Sequence, residues 1–168
     1  MKRIVLALVV GVVITACQES ENISVDTTGN EMVYPLQQAS DYSISGTVSV
    51  REKCDGSSIV TVSLIGTEGD IEHPVHLHLG NISEPGADVV ALLNPVLGST
   101  GQSETLLKQL SDETNITYRQ LIDLNACIKV HLAASGPDRD IVLAGGNIGV
   151  ASSDIAGGRA GVGICKSE

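Results

Sequence analysis

Histidine is scarce in this 168-residue chain: His73, His76, His78 and His131 are all there are. In the segment Val75-His76-Leu77-His78-Leu79, the apolar residues share one parity and two histidines share the other. If the segment is a strand, Val75, Leu77 and Leu79 claim the core. His76 and His78 then project from the opposite face, about 6.6 Å apart along the chain. Farther on, Ile128, Val130 and Leu132 alternate with Cys127, Lys129 and His131, so His131 also points away from the core. Three neutral imidazoles converging on one face would suit copper or zinc better than a hard cation. His73, beyond Pro74, is a candidate fourth ligand, and Cys127, on the parity of His131, a candidate extra one. Alone, an H-x-H on a polar sheet face reads equally as solvated filler, and at this point both readings stand.

These side chains need strands to position them. From Tyr42 the pattern has period two, with Tyr42, Ile44, Gly46, Val48 and Val50 on one face and Ser43, Ser45, Thr47 and Ser49 on the other. Lys53-Cys54-Asp55-Gly56 supplies a turn, and Val60, Val62 and Leu64 repeat the alternation, so a hairpin is expected. Segments 89–93 and 141–150 are further strand candidates. Thr117 followed by Gln120 is a capping-box signature that predicts a short helix over 118–124. Many short strands, glycine-rich turns and one helix indicate an all-β fold, an antiparallel sandwich or barrel, with a Greek-key sandwich as the expected form. Gly145-Gly146 and Gly158-Arg159-Ala160-Gly161 are followed by no helix start and make no phosphate loop. No nucleophile-elbow spacing marks a hydrolase.

The N-terminus carries an address. Met1-Lys2-Arg3 is a short positive head, and an unbroken run of apolar and small residues follows to Ala16. A helix of that length rises only ~20 Å against a roughly 30 Å hydrocarbon core, so residues 1–16 read as a secretory signal, not a span. Ile14-Thr15-Ala16-Cys17 resembles a bacterial lipobox, which makes Cys17 the lipid-bearing first residue of a mature cell-envelope lipoprotein facing the periplasm or the exterior. Residues 17–40, polar and acidic, read as a flexible tether, and residues 41–168 as the sandwich domain. The net charge of −10 becomes two units more negative once Lys2 and Arg3 are removed, which disfavours nucleic acid. With no Trp or Phe and three Tyr, a base-stacking platform is excluded. The membrane, through the lipid, is the expected partner, and no protein partner is indicated.

Two resemblances extend this reading. His76-Leu77-His78-Leu79-Gly80, then Ala87-Asp88-Val89-Val90-Ala91-Leu92, residues 121–131 and residues 136–149 resemble the CHRD domain, first described in chordin and found in exported bacterial proteins. The likeness covers about residues 43–150. It departs at Asp138-Arg139-Asp140-Ile141-Val142-Leu143-Ala144-Gly145, where the family has G-E-I-R-G, and at Cys127-Ile128-Lys129-Val130-His131, where it has Y-V-N-V-H. The chain also resembles a reduced Cu/Zn superoxide dismutase. His76 and His78 match its H-V-H copper ligands, Val130-His131 matches its late copper ligand, and Arg159 within 156–163 matches its anion-guiding arginine. No bridging histidine and no zinc loop follow His78. The resemblances therefore imply an immunoglobulin-like or dismutase-like sandwich carrying a metal-binding or interaction module. A copper-only dismutase-like enzyme, or a structural or adhesion domain without metal, are the alternatives. With Cys17 lipidated, Cys54, Cys127 and Cys165 remain; export favours one disulfide, and the sandwich reading prefers Cys127–Cys165 over the two other pairings.

Overall fold

The computed structural model describes residues 26–154. In chain order the strands are β1 Thr27–Gln38, β2 Ser45–Lys53, β3 Ser58–Ile65, β4 Glu72–Leu79, β5 Val89–Leu97 and β6 Gln102–Leu107. The short helix α1 Tyr118–Ile122 follows, then β7 Asn125–His131 and β8 Val142–Gly149. The strands close into one antiparallel barrel in the order β1-β2-β3-β6-β5-β4-β7-β8. The expected open sandwich is thereby corrected. Alternation tells which face of a strand is buried, but it does not tell whether the outermost strands meet. Here they meet because β1 bridges β2, along Met32↔Val50 to Leu36↔Gly46, and β8, at Gln37↔Gly145 and Gln38↔Ala144.

The segment read as a tether supplies that bridge. Over its twelve residues β1 buries only Tyr34 and Leu36, flanking Pro35, so its sequence shows no sustained period. Closure also needs room. A Cβ at Gly146 would collide with the Pro35 carbonyl oxygen, so only glycine lets β1 cross β8 this closely. Strand β6 gave no sequence signal either, because Ser103 and Thr105 occupy its inward parity and only Leu107 is buried.

The core fills the barrel. Val48, Val50, Val60, Val62, Val75, Leu77, Ile128, Val130 and Leu143 are all buried there, as the period-two pattern of these strands predicts. Of the expected inward residues, Tyr42 and Leu79 are instead exposed, because each lies at or past a strand end. Outside, exposed Thr47 and the pair Arg51 and Glu104, 3.0 Å apart, face solvent. The interior is packed with apolar side chains, whereas the lumen of a membrane-spanning channel barrel is polar. Among the described residues no helix is long and apolar enough to cross a membrane.

Helix α1 closes the barrel on the side of the β2–β3 turn. Its capping box forms as expected: the Gln120 amide N–H donates to Thr117 Oγ1 at 3.3 Å, and the Thr117 N–H donates to Gln120 Oε1 at 2.9 Å. Tyr118 and Leu121 are buried, and the Tyr118 N–H reaches the Gly56 carbonyl at 2.8 Å. The expected signal (residues 1–16), Cys17, Arg159 and Cys165 lie outside the described residues.

Candidate metal centre

Strands β4 and β7 are hydrogen-bonded neighbours, with Val75↔Val130, His76↔Lys129, Leu77↔Ile128 and His78↔Cys127 in register. Their inward parity is the apolar set Val75, Leu77, Ile128 and Val130, all buried in the core. The opposite parity therefore puts His76, His78, Cys127, Lys129 and His131 on one outer face, with His131 diagonal to His76. Two irregularities adjust the aim. The β4–β5 register shifts between Leu77 and His78, and the β7–β8 register shifts between Val130 and His131, each a place where a bulge redirects a side chain.

The result is a compact trio. Ring centroids lie 4.7 Å apart for His76 and His131, 5.9 Å for His76 and His78, and 6.4 Å for His78 and His131. One donor atom from each of the three lies within 4.8 Å of the others. Bonds of about 2.0–2.1 Å to a tetrahedral ion set nitrogens about 3.3–3.5 Å apart, so binding would draw the rings together by roughly 1 Å.

Although they point out of the barrel, two of these rings are covered: His78 is 1% and His131 3% exposed. Loop backbone covers and orients them. His78 Nδ1 lies 2.8 Å from the Ala87 carbonyl oxygen, and His131 Nδ1 lies 3.0 Å from that of Arg139. A carbonyl only accepts, so each Nδ1 carries the hydrogen and each Nε2 keeps its lone pair. Both Nε2 atoms are buried without a hydrogen-bond partner. This is the arrangement by which outer hydrogen bonds fix a ligating imidazole.

Burial pushes all three imidazoles below the ordinary histidine range, His131 to about 4. For His131 the neighbouring His76 adds to the effect, and the Ala87 and Arg139 carbonyls work against it at His78 and His131 respectively. All three are neutral at pH 7, the form that offers a lone pair to a cation.

The two carbonyls are delivered by anchored loops. After β4, the Ile82 N–H donates to Asn147 Oδ1 at 2.7 Å, and Asn147 Nδ2 donates to the Ala151 carbonyl at 3.1 Å. The Ile82 side chain packs where a Cβ on Gly145 would stand, 2.5 Å from its Cδ1. After β7, Gly136 at φ 80° opens a single 3-10 turn over Pro137–Asp140, which folds the Arg139 carbonyl back over His131. Gly145-Gly146 thus serve close approaches of other segments, one by Ile82 and one by β1.

His73 does not join the trio, which corrects its place as a candidate ligand. It shares the parity of Val75 and Leu77, not that of His76, and its Nδ1 lies 3.3 Å from the Leu132 carbonyl. Cys127 is buried across from His78 yet lies outside the group of mutually close donors. Cys54 is a free, exposed thiol in the β2–β3 turn. Sequence reasoning did not find the Ala87 and Arg139 carbonyls or Asn147, because backbone acceptors and a lone asparagine leave no pattern. Lys129, wholly buried beside the histidines, was read only as part of an outward row.

No family model, no curated protein and no solved structure matches the chain. The likenesses to CHRD domains and to superoxide dismutase thus rest on the quoted motifs alone.

Proposed function

We propose that this protein is an exported lipoprotein whose barrel binds one copper or zinc ion through His76, His78 and His131. The observation that carries the reading is the pair of buried, unpartnered Nε2 lone pairs of His78 and His131 beside His76. Leaving a buried polar atom unsatisfied costs about 1–3 kcal/mol. Two such atoms with convergent lone pairs and oriented rings are what a cation would repay. A set of three nitrogens with no carboxylate among them favours copper or zinc over magnesium or calcium. The same three donors leave a tetrahedral ion one position for a further ligand.

Titration calorimetry with Zn(II) and with Cu(II) checks this. Wild type should take up one equivalent, and the His76→Ala/His78→Ala variant should bind at least 100-fold more weakly. Equal affinity in the variant, with its fold confirmed by circular dichroism, would place any bound ion elsewhere.

A further inference from the structure

Beside the three imidazoles lies a cavity of about 1030 Å³, with His76, His78 and His131 in its wall. A water molecule claims only about 30 Å³, so an ion and one solvent ligand would leave most of it unfilled. The remaining wall has a definite chemistry. Pro74, Val89, Leu92, Leu93 and Pro95 make an apolar side, and Leu92 at 68% and Val89 at 42% exposed form a greasy rim. A concave site with a largely apolar wall and a few convergent polar groups is the usual form of a small-molecule site. The charged groups of the wall are Glu72, Asp88, Asp140 and a single cation, Arg139, which lies 3.6 Å from Asp140. Such a wall does not select for an anion.

Resting on the metal reading above, we propose that the cavity binds a neutral nitrogen heterocycle with an apolar body. Its ring nitrogen takes the coordination position that the three histidines leave open, and its body lies against Val89, Leu92 and Pro95. Three requirements meet in that ligand class: a lone pair for the ion, no net charge, and apolar surface to remove from water.

Co(II) serves as the test ion, because its visible bands report a change of ligand. At pH 8 the loaded wild-type protein is titrated with imidazole, 4-phenylimidazole and azide. Saturable band shifts are expected with both heterocycles, with 4-phenylimidazole at least tenfold tighter than imidazole and azide weaker than either. Leu92→Ser, at an exposed position, should shrink the preference for the phenyl compound severalfold while Co(II) uptake stays unchanged. Bands that appear but do not move with either heterocycle, azide binding tightest, or an unchanged preference in the variant would each overturn the ligand assignment. If no Co(II) bands appear at all, the metal reading itself fails and this inference falls with it.

Discussion

Burial drives the chemistry of the three imidazoles, and it also couples them to stability. The unfolded chain takes up a proton on His131 near pH 6.5, whereas the folded chain does so only near pH 4. Between those values the unfolded state holds more protons, so metal-free protein should lose stability as pH falls from about 6.5 to about 4. The His131 share of that loss is about 3 kcal/mol. Urea unfolding of EDTA-treated protein at several pH values measures it. His131→Gln should flatten the slope in this window without abolishing it, because His76 and His78 are lowered too. A slope of opposite sign would mean that the rings are not desolvated as described. The parity of these residues was legible in the sequence, since Leu77 and Val130 could only be core. The tautomers were not, since they depend on the Ala87 and Arg139 carbonyls, which reach the site through loops.

Among the elements, β2, β3, β4, β5, β7 and β8 emerged near their expected places, as did the capped helix α1. The two missed strands fail for identifiable reasons. Strand β1 offers Tyr34 and Leu36 around a proline, and β6 puts Ser103 and Thr105 where an apolar residue would announce a strand. The barrel differs from the expected sandwich because β1 joins β2 to β8. A chain beginning at residue 41 should therefore expose two strand edges and the core around Val48, lose cooperative unfolding and aggregate. A chain beginning at residue 26 should unfold in one transition. If both unfold cooperatively with equal midpoints, β1 contributes nothing to closure.

On the scale of the whole molecule, none of the helices among the described residues can cross a membrane, and the proposed lipoprotein reading attaches the barrel through a lipid on Cys17. Expressed from its full sequence in a lipoprotein-processing bacterium, the protein should partition with membranes, and its N-terminal peptide should carry acyl chains by mass spectrometry. Cys17→Ser should abolish the acylation and leave an unprocessed precursor. An unmodified, cleaved N-terminus in the wild type would contradict the lipoprotein assignment.

The proposed metal centre is tested most directly by X-ray absorption at the zinc edge of protein loaded with one equivalent. Three histidine nitrogens should appear at about 2.0–2.1 Å, with the outer-shell scattering of imidazole and one further light ligand. Fewer than three imidazoles, or a sulfur at about 2.3 Å brought in by Cys127, would contradict the account.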